Sequence, residues 1–253
     1  MSETKRLRRP AEGGYARGDE TRMRIITAAI DLFGEHGFAA ASTRDIAARA
    51  GVNAPALQYY FENKEGVYRA CAEYFADQVR TTFEPVIRSA SEALEGGADV
   101  AQLIDAFIAI QERIADSMFK MPKSPSQRLF FVREQGGHEP PIASEILQER
   151  VRGPLNTVSV ALLAKITGTS PDDPVTRIRV LSLFGQLMLF HLSPRSALHH
   201  LGWQEIDAEK GELLKGTVRV QTRALLEMWS AEREAREAMA PTPARKKIPK
   251  TRG

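Results

Sequence analysis

Residues 42–65, STRDIAARAGVNAPALQYYFENKE, contain two short helix-length runs separated by a glycine. Small and aliphatic residues recur on one face of the first run, and Ser42 or Thr43 can cap its start. Gly51 ends this run, and Asn53 is a potential N-cap for the next one. Two helices joined by a turn of about three or four residues with a glycine are typical of a helix-turn-helix. This arrangement constrains the fold more than any other stretch of the chain.

A helix-turn-helix binds DNA with its second helix in the major groove, while the first helix crosses the phosphate backbone. Leu57 and Phe61 lie four residues apart, so they are expected to form the buried anchor of the second helix. Hydroxyl and basic groups at the helix ends suit phosphate oxygens, and the exposed start of the second helix suits base edges. The residues expected to contact DNA are Thr43, Arg44, Asn53, Ala54, Pro55, Ala56, Gln58, Tyr59, Tyr60 and Lys64.

The rest of the chain shows helical periodicity and no convincing strand, hairpin or repeat, so the predicted fold class is all-α. A first amphipathic helix is expected over residues 19–36. A long helix is expected over about 63–95, with a kink near Pro85. Another is expected over 142–168, with a bend at Gly153.

The segment 180–192, VLSLFGQLMLFHL, is apolar on nearly every side, so a helix there must be covered on more than one face. It is too short to cross a bilayer, which requires about 20 apolar residues. Together with the last long helix, it is expected to meet a second copy of the chain, since isologous dimers are the commonest closed oligomers. Two core helices of a monomer are the alternative interpretation.

The positive charge of the chain is concentrated at its ends. The 253 residues carry a formal net charge of +3, yet residues 1–18 hold five Lys/Arg and two acids, and residues 241–253 hold five Lys/Arg and no acid. The body therefore has 25 basic and 30 acidic residues, a net charge of −5. This distribution predicts a neutral-to-acidic globule with two cationic tails, which are either DNA-binding or simply solvated.

Cysteine content and hydropathy indicate the compartment. The single cysteine, Cys71, excludes an intrachain disulfide and is expected to be a buried structural thiol. The N-terminus has no apolar signal segment, and no apolar stretch is long enough for a membrane span. A cytoplasmic, nucleoid-associated protein without a membrane partner is therefore expected.

The stretch TRDIAARAGVNAPALQYYFENKEGVY, behind an amphipathic helix that ends LFGEHGF, closely resembles the DNA-binding domain of the TetR family of bacterial transcriptional regulators. The resemblance covers residues 21–68 almost without a gap and places most of the residues named above at DNA-contact positions. It implies a three-helix DNA-binding domain, a helical ligand-binding domain and a homodimer built mainly by the last two long helices. The predicted segments are a flexible basic arm (1–18), the DNA-binding domain (19–66), the ligand-binding and dimerisation domain (67–235) and a disordered basic tail (236–253).

Two features refine this resemblance. Family members usually carry a tyrosine where this chain has Gln58, whose carboxamide can contact a phosphate or an adenine edge. The motifs LFFVREQ, VRGPL and LGWQEIDAEKGELL, within residues 129–214, resemble the CecR (YbiH)-like branch of the family. That resemblance implies an association with genes for drug or solvent export and antibiotic sensitivity.

A ligand-responsive regulator needs a cavity whose occupant favours one of two arrangements of the DNA-binding heads. An apolar effector requires aromatic and aliphatic walls with a few polar groups. The candidates for contacting it are Phe107, Phe130, Phe131, Arg133, Gln135, Phe190 and His191. For each of them a core or surface role is the alternative. The pair His199-His200 lacks a second cluster at ligand spacing, so no metal and no cofactor is expected.

The sequence carries no G-x-S-x-G, P-loop, H-E-x-x-H or strand-linked G-x-G-x-x-G pattern, so no catalytic residue is expected. The resulting hypothesis is a homodimeric repressor of an export or antibiotic/solvent-stress operon, released from a palindromic operator by an apolar small molecule. Three alternatives remain. They are an architectural DNA-binding protein of low specificity, a regulator responding to a metabolite such as an acyl-CoA, and, with least support, a helical enzyme.

Overall fold

A computed structural model describes residues 12–120, 124–137 and 139–239, except for the side chains of residues 12–16 and His191. Within these ranges the protein is helical and has no strand, which confirms the all-α prediction. The helices are α1 (Glu12–Ala40), α2 (Thr43–Arg49), α3 (Ala54–Tyr60), α4 (Lys64–Glu95), α5 (Val100–Phe119), α6 (Pro125–Gln135), α7 (Pro141–Leu147), a π-helical turn (Gln148–Arg152), α8 (Gly153–Thr167), α9 (Pro174–Leu192), α10 (Pro194–Leu201) and α11 (Ala208–Met239).

The described residues form two compact units. Unit 1 lies within Met1–Pro85 and Phe119–Leu155, and unit 2 lies within Val86–Met118 and Asn156–Gly253. The predicted boundary between residues 66 and 67 falls inside α4, whose first part belongs to unit 1. Unit 1 also contains α6 and α7, which the sequence interpretation assigned to the ligand-binding domain.

The core of unit 1 is a cluster of aromatic rings from α1, α4 and α6. Tyr68 lies at its centre, with ring centroids 5.0 Å from Phe33, 5.2 Å from Phe38 and 5.2 Å from Phe130. Phe75 extends the cluster, 5.1 Å from Phe130. The rings meet edge-on or tilted, the arrangement that aromatic quadrupoles favour. Because nearly all of these side chains are buried, the cluster joins α6 to α1 and α4 in one core.

Unit 2 contains a three-helix contact of α5, α9 and α11. Phe107 of α5 stacks on Phe184 of α9, with ring centroids 5.7 Å apart. The Gln111 side-chain NH2 of α5 donates to the Leu183 carbonyl of α9 at 2.8 Å. Ion pairs also join α5 to α11: Asp105–Arg223, Glu112–Arg219 and the partly buried Asp116–Lys215.

The structure differs from the predicted elements in three places. Helix α1 begins at Glu12, inside the predicted basic arm, and the rest of that arm and most of the basic tail lie outside the described residues. The helix predicted over 142–168 consists of α7, the π-helical turn and α8. They meet at Gly153, where a Cβ would lie 2.8 Å from the Gln148 carbonyl oxygen. Helix α10 was not predicted, because its eight residues are too few for a clear periodic pattern and Ala197 is its one buried residue.

Candidate DNA-binding surface

Helix α2 begins directly after Ser42, its N-cap. The Ser42 hydroxyl oxygen accepts a hydrogen bond from the Asp45 backbone N–H at 3.2 Å and donates to the Asp45 carboxylate at 2.6 Å. Of the two predicted caps, the structure therefore selects Ser42, and Thr43 is the first helical residue. Thr43 is half-buried and Arg44 is exposed, so the Arg44 guanidinium is accessible to a binding partner.

The turn between α2 and α3 is fixed by Gly51 and Asn53. Gly51 has a φ of 67°, in the left-handed region that glycine adopts most readily. A Cβ at this position would have no atom of the described part of the chain within 4 Å, so the backbone angle rather than a close contact favours glycine. The Asn53 Oδ1 accepts the Ala56 backbone N–H at 2.8 Å, which confirms the predicted N-cap. This cap uses the oxygen of Asn53 and leaves its NH2 group for another acceptor.

Helix α3 has one buried face and one exposed face. Leu57 and Phe61 are 1% and 6% exposed, which confirms the predicted anchor. The outward face begins with Ala54 and Pro55, while Ala56 is half-buried. Gln58 is exposed, and Tyr59 is 84% exposed, far more than other large aromatic side chains that are described. A short helix held by two buried side chains therefore presents its polar and aromatic residues to solvent.

The two adjacent tyrosines have different environments. Their rings lie edge to face, 5.2 Å apart, but only Tyr59 is fully solvent-exposed. Tyr60 is half-buried and packs against the core of unit 1. A Cβ built on Gly18 of α1 would lie 3.7 Å from the Tyr60 hydroxyl oxygen. The Tyr60 side chain therefore lies between α3 and the N-terminal part of α1.

Lys64, the last residue expected to contact DNA, is already engaged within unit 1. Its Nζ donates to the carbonyl oxygens of Ala39 and Ala41 at 3.3 and 3.0 Å. The same ammonium lies 4.3 Å from the ring centroid of Phe38, a cation–π distance. An ammonium has three donors, so these two bonds leave one for a phosphate oxygen.

The C-terminal end of α1 is held by side chains from α6 and from the loop after it. Arg133 donates from Nε to the Gly34 carbonyl at 2.9 Å and from Nη2 to the Glu35 carbonyl at 3.2 Å. A Glu139 carboxylate oxygen accepts the Phe38 backbone N–H at 2.8 Å. These contacts flank Gly37, whose φ of 82° and ψ of 168° interrupt the helix. Arg133, a candidate for effector contact, thus holds the segment that leads into α2.

The other candidates for effector contact are divided between the two units. In unit 1, Phe130 and Phe131 are buried in the aromatic core, and Gln135 is exposed. In unit 2, Phe107 is fully buried and Phe190 is half-buried. The His191 side chain lies outside the described residues. Sequence reasoning missed Gln111, which is 2% exposed and whose Oε1 has no hydrogen-bond partner among the described atoms.

Two buried ionisable groups support a neutral core in unit 1. Cys71 is buried, as predicted, and its thiol lies 3.7 Å from the Ile26 carbonyl oxygen. Burial raises the pKa of the Cys71 thiol far above its usual range. Burial, followed by the nearby carboxylates of Glu139 and Glu134, likewise raises the pKa of Tyr68. Both groups are therefore protonated at neutral pH and act as packing residues.

A family model described as bacterial regulatory proteins, tetR family, matches residues 25–71, which contain α2 and α3. A second model, the C-terminal domain of the HTH-type transcriptional dual regulator CecR, matches residues 103–228. The HTH-type transcriptional dual regulator CecR of Shigella flexneri is 34% identical over 208 residues, which cover 80% of this chain and 89% of that protein. The chain belongs to the TetR family.

Within the TetR family, these matches place the regulator in the CecR-like branch. The HTH-type transcriptional regulatory protein RaaS of Mycobacterium tuberculosis is 39% identical over 66 residues, 26% of this chain and 31% of that protein. A TetR-like transcriptional regulator of Rhodococcus sp. RHA1 has a solved structure that superposes with a TM-score of 0.51. It is 18% identical and covers 87% of this chain and 99% of its own, so it shows the fold alone.

The protein is thus a TetR-type transcriptional regulator. Members of this family bind DNA and usually dimerise.

Among the described residues, no three His, Cys, Asp or Glu side chains come together as metal ligands. No single described helix is long and apolar enough to cross a membrane, and only α9 and α10, as a bent pair, reach that apolar length.

Proposed function

We propose that this TetR-family regulator is a homodimeric repressor that places the two copies of α3 in successive major grooves of a palindromic operator. The exposed face that joins the start of α2 to α3 carries the proposal. Arg44, Gln58 and Tyr59 are exposed there on helices that buried side chains anchor, so they can meet DNA without rearrangement. Thr43, Asn53, Ala54, Pro55, Ala56, Tyr60 and Lys64 complete the proposed contact set. Such a protein acts at the nucleoid, in the cytoplasm.

The proposed dimer forms through α9 and α11 of unit 2, because each helix has two apolar stripes. The inner stripe of α9 contains Val180, Leu183 and Leu187, which are buried within the unit. Its outer stripe is exposed: Leu181, for example, is 65% accessible. Val220 of α11 is 68% accessible, although Val218 and Thr222 on the inner face of the same helix are buried. Exposed apolar surface of this kind marks an interaction site, and a two-fold mate covers it with the same surface.

Successive residues of the outer stripes are three, seven or eight positions apart, which places them on one helix face. On α9 they are Val175, Ile178, Leu181, Leu189 and Leu192, and on α11 they are Leu213, Val220 and Met228. Gly185 lies between the two halves of the α9 stripe, and a Cβ there would have no atom of the described residues within 4 Å apart from its own helix backbone and chain neighbours. A glycine at the centre of a helix face lets a second backbone approach closely, which supports a contact of α9 with its own copy.

The proposed effector is an apolar small molecule that binds unit 2 and favours a dimer geometry that does not fit the operator. Phe107 and Phe184 supply a stacked aromatic wall, and the unpartnered Oε1 of Gln111 supplies an acceptor. Buried polar atoms without a partner are rare, so a hydrogen-bond donor on the effector would explain why the Gln111 Oε1 has no partner within the protein. Phe107, Phe130 and Phe131 are all buried in cores, and Arg133 is bonded to α1, so the unpartnered Oε1 of Gln111 is the stronger reason to place the effector in unit 2.

The proposed target is an export or antibiotic/solvent-stress operon, by analogy with the branch to which the chain belongs. Repression follows if the dimer covers a promoter. The CecR relative is named a dual regulator, and that description applies to the relative alone. Transcript levels in a deletion strain test this point. A rise of an adjacent operon supports repression, and a fall indicates activation.

DNA recognition is tested with Arg44→Ala and with Arg88→Ala, an exposed arginine on the part of α4 that belongs to unit 2. The probe is the highest-affinity duplex selected from a random pool. Loss of an Arg44 phosphate contact is expected to reduce affinity and to lower the slope of log K against log salt by about 0.9, with Arg88→Ala unchanged. Gln58→Ala is expected to relax selection at one base pair by about 1–3 kcal/mol.

Two results would overturn DNA recognition by this surface. Equal effects of Arg44→Ala and Arg88→Ala would show that only general charge matters. Absence of any selected sequence would support the architectural alternative, in which binding depends on salt but little on sequence.

The dimer is tested with Leu181→Glu and with Leu129→Glu, which places the same charge on an exposed leucine of α6. Sedimentation velocity is expected to show a monomer for the first variant and a dimer for the second, because a carboxylate in an apolar interface loses its hydration. A dimer of unchanged affinity in both variants excludes the α9 face as the interface.

Effector binding is tested with Gln111→Leu in a DNA-release assay against a panel of apolar antibiotics and an acyl-CoA. The variant is expected to bind the selected duplex as the wild type does but to need more effector for release, because one hydrogen bond is lost. Release of the wild type by acyl-CoA alone would support the metabolite alternative. Release of the variant at wild-type concentrations excludes Gln111 as a contact.

A further inference from the structure

Unit 1 contains a groove along α4, between α1 and the π-helical turn, which is here named the α4 groove. Its volume is about 520 Å³, and small-molecule sites usually enclose about 300–1,000 Å³. It is lined by Arg22 and Met23 of α1, by Arg150 of the π-helical turn and by α4 residues between Ala70 and Thr81. All of them belong to unit 1. The α4 groove is therefore separate from the effector contacts proposed in unit 2.

The floor of the α4 groove is apolar. Met23 and Tyr74 are half-buried and pack against the core of unit 1, and Ala70 is buried. The Tyr74 ring lies 5.9 Å from the ring of Phe75, which belongs to the aromatic cluster of that core. An apolar group placed on these side chains would remove them from water, which is favourable. The floor therefore suits the aromatic or alkyl part of a ligand.

The unmatched charge of the α4 groove is positive. The two acids that line it each have a cation nearby. Glu73 lies 3.9 Å from Arg150. Asp77 lies 4.0 Å from Arg80. By contrast, no carboxylate of the described residues lies within 4.0 Å of the half-buried Arg22 guanidinium. Because 3.9 Å exceeds a hydrogen-bond distance, the N–H donors of Arg22 and Arg150 are available to a ligand.

A second groove of unit 1 lacks this available charge. It lies between α1 and α2, has a volume of about 510 Å³, and includes His36, Asp45 and Arg49 in its lining. Arg49 already donates from Nη1 to both carboxylate oxygens of Glu35, at 3.0 and 2.9 Å. The two grooves are thus alike in volume, and the available guanidinium groups distinguish the α4 groove.

We propose that the α4 groove binds an amphipathic carboxylate, a molecule with one carboxylate on an aromatic or alkyl body. A guanidinium presents paired N–H groups that match the two oxygens of a carboxylate. The carboxylate accepts hydrogen bonds from Arg22 and Arg150, and the body covers Met23, Ala70 and Tyr74.

Occupation of the α4 groove is expected to weaken DNA binding, because Arg22 also contacts the anchor of α3. Its guanidinium carbon lies 5.5 Å from the ring centroid of Phe61, within cation–π range, and Phe61 is 6% exposed. A bound carboxylate draws the guanidinium toward the groove and loosens the C-terminal end of α3. This consequence rests on the proposed function of α3, whereas ligand binding in the groove does not.

Binding is tested on the full-length protein by isothermal titration calorimetry with two probes, phenylbutyrate and octanoate. Phenylbutyramide, which matches the first probe in size but has no charge, is the control ligand. Both acids are expected to bind with a dissociation constant of about 1 mM or lower, and the amide about tenfold more weakly. In methyl-labelled protein, the methionine NMR signal that is absent from Met23→Leu is expected to shift with each acid, which locates the ligand in the groove.

Variants separate the α4 groove from the rest of unit 1. Arg22→Gln and Arg150→Gln are each expected to weaken phenylbutyrate binding about tenfold, because hydrogen bonds from a charged donor are lost. Arg49→Gln, the matched control in the second groove, is expected to bind like the wild type. Arg150→Gln leaves the contact between Arg22 and Phe61 in place, so it tests the site even if Arg22→Gln destabilises α3.

The effect on DNA is measured with the highest-affinity duplex selected from a random pool. Saturating phenylbutyrate is expected to lower the affinity of the wild type and of Arg49→Gln about threefold, the effect of losing one cation–π contact. At the same concentration, Arg150→Gln is expected to lose less affinity, because less of it carries the ligand.

Three binding results would each overturn the inference: no binding of either acid at about 10 mM, equal binding of phenylbutyrate and its amide, or wild-type binding by both Arg22→Gln and Arg150→Gln. Binding of the acids without any change in duplex affinity overturns the regulatory role. Failure of the proposed function has a different signature, because no sequence would then be selected from the pool. The titrations and the Met23 signal test the groove in that case as well.

Discussion

Replacement of Arg133 by Ala tests whether α6 holds the end of α1. The Arg133 guanidinium makes two hydrogen bonds, 2.9 Å to the Gly34 carbonyl and 3.2 Å to the Glu35 carbonyl. These carbonyls lie in the last turn before the break at Gly37, where the helix leaves acceptors unpaired. A cation is also favoured near a helix C-terminus by the helix dipole. Arg133 therefore stabilises this turn both as a donor and as a charge.

The expected loss follows from these contacts. A hydrogen bond from a charged donor contributes about 1.5–3 kcal/mol when buried. Because the Arg133 side chain is only half-buried and water can replace part of what it provides, the two bonds together are expected to contribute about 2 kcal/mol. Arg128→Ala, on an exposed face of the same helix α6, removes the same charge and is expected to change stability by less than about 0.5 kcal/mol.

The measurement is urea-induced unfolding at a fixed protein concentration, since the proposed dimer would make stability depend on concentration. Hydrogen exchange adds a local readout. The backbone N–H of Phe38 is bonded to Glu139 and that of Ala41 to the Gly37 carbonyl, and both should exchange faster in Arg133→Ala. If Arg133→Ala and Arg128→Ala have the same unfolding free energy and the same exchange rates at these amides, α6 does not hold the end of α1.

Three other predictions concern residues of unit 1. Gly37→Ala is expected to lower stability by about 2–3 kcal/mol, measured by urea unfolding, because its φ and ψ belong to a region reserved for glycine and the Cβ would lie 2.9 Å from a Glu139 oxygen. Asn53→Ala is expected to lower the free energy of unfolding by about 1 kcal/mol, whereas Asn53→Asp keeps the cap. Equal melting temperatures of the two variants would contradict this prediction. The free energy of unfolding should be constant at neutral pH and fall above about pH 8.5, because the Cys71 thiol then ionises in the unfolded chain but not in the folded one. The fall should reach up to about 1.4 kcal/mol per pH unit. In Cys71→Ala the fall should start near pH 10 instead, with Tyr68, and an unchanged onset in denaturation curves would refute the assignment.

The helix-turn-helix was predictable because its determinants are local. Asn53 caps α3 through an N–H only three residues away, and Leu57 and Phe61 identify the buried face by their spacing. The roles of Arg133 and Glu139 were not predictable. Their partners in α1 lie 99 and 101 residues away along the chain, and no local pattern marks a side chain that caps a distant helix. From the sequence, the aromatic motif around Arg133 predicts an effector contact instead.

Residue type alone also overestimates the number of phosphate contacts that the helix-turn-helix can make. Arg49 uses its guanidinium on the Glu35 carboxylate, at 3.0 and 2.9 Å, and Lys64 uses two of its three donors on backbone carbonyls. Of Arg44, Arg49 and Lys64, only Arg44 has an exposed side chain with no partner among the described residues. Because Arg49 and Lys64 already bond to groups of the same unit, the slope of log K against log salt is expected to fall more in Arg44→Ala than in Arg49→Ala or Lys64→Ala.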